Sequence, residues 1–92
     1  MKVKVKFFAS LTEVFGDRER EVELGEGARI KDLLDALCDS SRCRQNVFDD
    51  SGKIKMRIQI MKNRMPIQSF DGISTRLEEG DVISIIPPMF AG

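Results

Sequence analysis

The sequence predicts an α+β fold in which one amphipathic helix crosses one face of a mixed four- to five-stranded sheet. Three observations carry that expectation. Residues 2–8 alternate in polarity with a period of two, residues 28–38 hold the one long apolar stripe at helical spacing, and residues 82–86 form a final run that is almost wholly apolar. A single helical stripe can bury one sheet face, and the first and last strands both suit a sheet interior. With 92 residues the chain is one domain by length, and folding at this size hides little more than ~60% of the unfolded surface, so a deep pocket is not expected.

The elements follow in order. Val3, Val5 and Phe7 share one parity and Lys2, Lys4 and Lys6 the other, the signature of a half-buried strand. Phe8 breaks the rule by falling on the lysine face, where it points at solvent or at something that covers it. Ser10 to Phe15 forms a short helix, with Ser10 as N-cap, Glu13 at the capping-box position and Gly16 as the stop. After a hairpin-like return at Gly16 and Asp17 and the charged stretch DRERE, Val22 and Leu24 mark a second strand. From Ala28 to Cys38, behind Glu26 and Gly27, the residues Ile30, Leu33, Leu34 and Leu37 recur at helical spacing. Residues 39–52 read as a polar loop with local structure at 46–50 around a buried Val47 or Phe48.

Ile54, Met56, Ile58 and Ile60 alternate with Lys55, Arg57, Gln59 and Met61, which predicts a further strand with one buried face. A turn around Asn63 follows, Met65 to Ile67 resumes briefly, and a turn-rich link leads to a corner at Glu79, Gly80 and Asp81. Val82 to Ile86 is so uniformly apolar that it suits a strand covered on both faces. Strand, strand, helix and two or three strands make a β-grasp; a ferredoxin-like arrangement would need a second long helix. The domain spans residues 1–86, and residues 87–92 form a flexible tail, because Pro87 and Pro88 remove amide donors and end the ladder.

Composition excludes several function classes. Fifteen basic side chains cancel fifteen acidic ones, so no global field draws in nucleic acid or an anionic membrane. The lysine stripe reads as a solvent face that discourages edge pairing rather than as a phosphate track. No run of eighteen apolar residues occurs and the opening MKVKVKFF is not a signal sequence, which predicts a cytoplasmic protein. Histidine is absent, no nucleophile elbow or Walker loop occurs, and the carboxylates cluster in solvent-type segments, so the chain is not expected to be catalytic alone, to bind a cofactor or to hold a metal. Cys38 and Cys43 have no histidine to complete a zinc site; a structural or incidental role outweighs a redox pair.

The tail is the remaining candidate. Pro87, Pro88, Met89, Phe90, Ala91 and Gly92 favour an extended path that reaches at most ~20 Å beyond the domain. A projecting end of small residues with a free carboxylate suits threading into another protein's narrow active site.

The segments VKVKFFASLTEVFG, IKDLLDAL and KNRMPIQSFDGISTRLEEGDVISIIPP, together with the tail, resemble the small sulfur carriers that serve molybdopterin synthase, with thiamine-pathway carriers as more distant relatives. The resemblance spans most of the chain outside residues 39–57. It implies a ubiquitin-like β-grasp whose Gly92 carboxylate is adenylated by an ATP-using, ubiquitin-activating-type enzyme of the MoeB/ThiF kind. The product is a thiocarboxylate. Inserted into a MoaE-like large subunit, it gives its sulfur to a pterin precursor, with the present chain as small subunit and a monomer when free. Phe8, Pro66 and Ile86 match apolar interface positions of that family. One departure stands out: the family ends in two glycines, and here the pair is Ala91 and Gly92. Ala91 then puts a methyl into a channel shaped for none, or a further glycine follows residue 92. A ubiquitin-like protein modifier, a thiamine-type carrier and a binding module without C-terminal chemistry stand as alternatives.

Overall fold

The computed structural model describes residues 1–38, 44–45, 47–51, 53–55 and 58–87. In chain order the elements are β1 (Lys2–Phe7), α1 (Leu11–Phe15), β2 (Glu19–Glu23), α2 (Ile30–Leu37), β3 (Gln59–Lys62), β4 (Met65–Pro66), two 3-10 turns (Ile67–Ser69 and Gly72–Ser74) and β5 (Val82–Ile86). Among the described residues the strands form one sheet in the order β2-β1-β5-β3-β4. β1 and β5 run parallel at its centre, and the other neighbours are antiparallel. This is the predicted ubiquitin-like β-grasp.

Alternation in β1 decides which face is core. Val3, Val5 and Phe7 are buried while Lys2, Lys4 and Lys6 are exposed. The buried side joins Ile30, Leu33, Leu34 and Leu37 of α2 and Ile60, Ile83 and Ile85 of β3 and β5 in one cluster. Phe7 also stacks on Phe15 of α1, ring centroids 4.2 Å apart. Each such fully buried side chain stabilises the fold by roughly 1.5–3 kcal/mol.

Several elements differ from the sequence expectation for identifiable reasons. α2 starts at Ile30 because the residues before it are held by the chain ahead of β5: Leu77 N donates to Ala28 O at 2.9 Å and Ile30 N to Thr75 O at 3.0 Å. Asp32 then accepts from Arg29 N at 2.8 Å and caps the first turn. In α1, Ser10 is itself helical in φ and ψ and makes no side-chain cap, so the Ser10–Glu13 capping box does not form; Gly16 at φ 78° ends the helix as predicted. β2 runs from Glu19 to Glu23 and so takes in Glu19, Arg20 and Glu21, three of the five residues of the charged stretch DRERE, and leaves out Leu24. The lysines explain it: Lys2, Lys4 and Lys6 stand opposite Glu23, Glu21 and Glu19, so charge on both strands is favourable.

The long alternation at 54–61 is divided. Ile54 bridges Phe48 and Lys55 N donates to Val47 O, while Ile58 N turns back to Lys55 O, so that β3 begins at Gln59. Met56 and Arg57 lie outside the described residues. Val47 is fully buried and Phe48 half-buried, so the predicted loop does anchor in the core. Cys38 is buried and disulfide-bonded; Cys43 lies outside the described residues. The largest difference concerns β5. Ile83 and Ile85 are buried, but Val82, Ser84 and Ile86 are only half-buried. Its second face is not covered as predicted, because α2 packs on one side of the sheet only.

Candidate functional site

Strand register shows what the uncovered face carries. β1 and β5 pair Lys6 with Ser84 and Phe7 with Ile85, and one more step sets Phe8 beside Ile86. β3 pairs Gln59 with Ile86 and Met61 with Ser84, and β4 pairs Pro66 with Met61. Residues directly opposite one another point to the same side. Phe8, Ile86, Met61 and Pro66 therefore share the outer face across four strands, with Ser84 among them. Phe8 is 42% exposed and the other three are half-buried. The three residues suggested by the sequence come together, and Met61 joins them. Met61 carried the same signal as Phe8, an apolar residue on the polar parity of its strand.

Two local devices hold this strip in place. At one end Ala9 adopts φ 51°, a left-handed conformation that costs a non-glycine residue roughly 1–2 kcal/mol. It is secured by Thr12, whose Oγ1 and N donate to Ala9 O at 2.8 and 3.1 Å. The turn stops β1 just after Phe8. At the other end, Asn63, with φ 56°, receives Val82 N on Oδ1 at 3.0 Å and donates through Nδ2 to Asp81 Oδ1 at 3.1 Å. Asp81 is buried, accepts from Glu78 N at 2.8 Å and lies 3.5 Å from Lys62 Nζ. Lys62 also covers the Phe70 ring at 5.2 Å. This lock ties the β3–β4 turn to the start of β5 and so fixes the register that aligns Met61 and Pro66 with Ser84.

The lysine stripe shares the outer face but is no free basic track. Lys4 Nζ lies 3.2 Å from Glu19 Oε1, and each lysine of β1 has a glutamate opposite. β1 is also an inner strand, so its lysines do not protect an edge as predicted; β2 and β4 are the edges. In the loop ahead of β3, Ser51 Oγ, Ser51 N and Lys53 N all donate to Asp49. Chiefly the Ser51 hydroxyl, then these amides, hold the Asp49 carboxyl below its ordinary pKa. Among the described residues no cluster of His, Cys, Asp or Glu could hold a metal ion, and no helix is long and apolar enough to cross a membrane.

The outer strip ends where the tail begins. Ile86 closes β5, and Pro87, which the sequence assigns to the tail, is buried against the domain. Pro88, Met89, Phe90, Ala91 and Gly92 lie outside the described residues. The described residues thus end, at Pro87, beside the apolar strip.

Comparison with known proteins agrees with that geometry. Residues 5–92 match the model of the ThiS family. The chain is 32% identical to the molybdopterin synthase sulfur carrier subunit of Chlamydomonas reinhardtii and 27% identical to small archaeal modifier protein 3 of Haloferax volcanii, in both cases over all of both chains. The crystal structure of SAMP1 from Haloferax volcanii superposes with a TM-score of 0.86 at 28% identity, covering all of both chains.

Proposed function

Because the chain belongs to the ThiS family of ubiquitin-like sulfur carriers, we propose that its reactive group is the carboxylate of Gly92 and that its sulfur goes to the dithiolene of a molybdenum or tungsten cofactor. A carboxylate is a poor acyl donor, so activation comes first. A Gly92 oxygen attacks the α-phosphorus of ATP on a ubiquitin-activating-type enzyme, pyrophosphate leaves, and an acyl adenylate forms. A donor's persulfide attacks the carbonyl carbon, AMP leaves, and an acyl disulfide results. A thiol reduces its S–S bond, leaving the thiocarboxylate on Gly92 and the two thiols joined as a disulfide. Docked in the synthase large subunit, the thiocarboxylate sulfur attacks an electrophilic carbon of the pterin precursor and displaces an oxygen leaving group from it. Water then attacks the Gly92 carbonyl, the acyl C–S bond breaks, and the carboxylate returns while the sulfur stays on the pterin.

The observation that carries this reading is the open apolar strip of Phe8, Met61, Pro66 and Ile86 at the base of the tail. Exposed apolar residues grouped in this way mark a protein interface. The pterin acceptor rests on the likeness to the Chlamydomonas carrier subunit. The chain supplies the tether and the docking strip, and the partner supplies ATP binding and any metal. Incubating the chain with the activating enzyme, ATP and a persulfide donor should add the mass of one oxygen exchanged for sulfur, located at Gly92 by fragmentation. An unchanged mass, with an enzyme proven active on another carrier, sinks the proposal.

The likeness to small archaeal modifier proteins favours a second reading, in which a lysine amine attacks the same adenylate and Gly92 ends in an isopeptide bond. Recovery of Gly92 joined to a substrate lysine in cells, without a thiocarboxylate pool, would select it.

A further inference from the structure

Beside β3, between the turn that precedes it and the 3-10 turns that follow β4, lies an open groove of about 250 Å3. Its lining is mostly isoleucine: Ile58, Ile60 and Ile67 are buried, Ile54 is half-buried, and Ile73 on the rim is 41% exposed. The walls are held by hydrogen bonds. On one side Lys55 N donates to Val47 O at 2.9 Å and Ile58 N to Lys55 O at 3.0 Å. On the other, Thr75 Oγ1 donates to Gly72 O at 2.6 Å and accepts from Asp71 N at 3.0 Å, which sets Ile73 on the rim. A groove with fixed walls does not close on itself, so the open parts of Ile54 and Ile73 stay in water until a side chain fills it.

The chain itself brings an apolar residue to this place. β3 pairs Gln59 with Ile86, and the next step sets the groove residue Ile58 beside Pro87, one strand spacing of ~4.8 Å away. Ile83, Ile85 and Pro87 are the buried parity of this segment, and Met89 is the next residue of that parity. A proline restricts the residue before it to extended backbone, so Pro87 and Pro88 carry the alternation of β5 past Ile86. Met89 stands two residues beyond Pro87, a reach of about 7 Å. We propose that the Met89 side chain occupies this groove in the free chain, packed among Ile54, Ile58 and Ile73, while Phe90 falls on the opposite parity. An unbranched thioether suits an irregular apolar gap. Tethering favours Met89 over a separate partner or a second copy, because a segment anchored two residues away is present at far higher effective concentration. Seated in this way, Met89 leaves residues 90–92 to project. An enzyme that draws the tail into its active site must first withdraw Met89, so the groove acts as a brake on activation; that consequence, unlike the seat itself, rests on the reading of Gly92.

The test is NMR of the full chain carrying isotopically labelled Met and Ile methyl groups. Nuclear Overhauser contacts should join the Met89 methyl to those of Ile58 and Ile73 and should persist on dilution. Met89→Ser should abolish them and shift the methyl signals of Ile54, Ile58 and Ile73, with Ile30 and Ile83 unmoved, and Met89→Leu should bring the signals back toward their native positions. Ile73→Gln, on the exposed rim, should keep the native thermal melt and lose the contact between Met89 and Ile58. A Met89 methyl without contacts to these isoleucines, whose removal leaves their signals in place, overturns the proposal. So do contacts to Met61 and Ile86 of the outer strip instead, and contacts that fade on dilution, which belong to a second copy. None of these readouts involves activation, so failure of the Gly92 reading is a separate result.

Discussion

The two faces of β5 are built from alternate residues of one pentapeptide and behave in opposite ways. Ile83 and Ile85 face α2 and are fully buried, whereas Val82, Ser84 and Ile86 face outward and keep part of their surface in water. Both faces are largely apolar, yet only one has a cover. The inner face is a stability surface, where a lost methylene leaves a cavity. On the proposed function the outer face is a recognition surface, whose apolar groups would gain their full burial when a partner arrives.

Several substitutions would break or sharpen that contrast. The largest expected effect on folding is at the lock: Asp81→Ala leaves Lys62 without its buried partner and should destabilise by about 3–5 kcal/mol in urea unfolding, as for other broken buried pairs. Close behind, Ile83→Ala on the inner face should cost about 2–5 kcal/mol in the same assay, through lost transfer energy and a residual cavity. Its outer counterpart Ile86→Ala should cost under ~1.5 kcal/mol, because the site is half-open and can be refilled by water. Binding should show the reverse order. Phe8→Ala and Ile86→Ala should each weaken the activating enzyme's hold by about 2 kcal/mol if they are anchors, measured by calorimetric titration, while folded Ile83→Ala chains bind normally. If Ile86→Ala unfolds the protein as readily as Ile83→Ala, the outer face is core and the contrast fails.

Smaller effects concern charge. Lys4→Gln removes an exposed pair with Glu19 and should shift stability by less than ~1 kcal/mol. Asp49 tests the loop. Its folded pKa is depressed by hydrogen bonds from Ser51 and Lys53, so the stability it contributes is present above the unfolded-state pKa and is lost as pH falls through the folded value. A carboxyl titration by NMR should find Asp49 ionising below the ordinary aspartate range, and Ser51→Ala should move it upward.

How much of this was legible in the sequence follows from the same contrast. Inward residues obey periodicity, so β1, α2 and β5 were readable from Val3, Val5, Phe7 and the α2 stripe, and α2 differs only at its two ends. Outward residues were readable only as exceptions. Phe8 violates parity visibly because three lysines surround its position; Met61 violates it against a weaker background of Lys55, Arg57 and Gln59 and passed as an ordinary strand residue. The open face of β5 was not legible, because an apolar run has no phase and cannot reveal whether one face or two are covered. The second strand was legible from Val22, but its start was not, because Glu19 and Glu21 read as a charged stretch until the lysines opposite them are known. The Ala9 turn, at positive φ without glycine, leaves no mark in composition, whereas the turn at Asn63 was readable.

The most direct measurement is a titration of the isotopically labelled full chain with its activating enzyme, followed through methyl and amide NMR signals. Shifts and broadening should concentrate at Phe8, Met61, Ser84 and Ile86, with Leu33 and Leu34 of α2 unchanged. Perturbation of the α2 face with a silent outer strip would contradict the account.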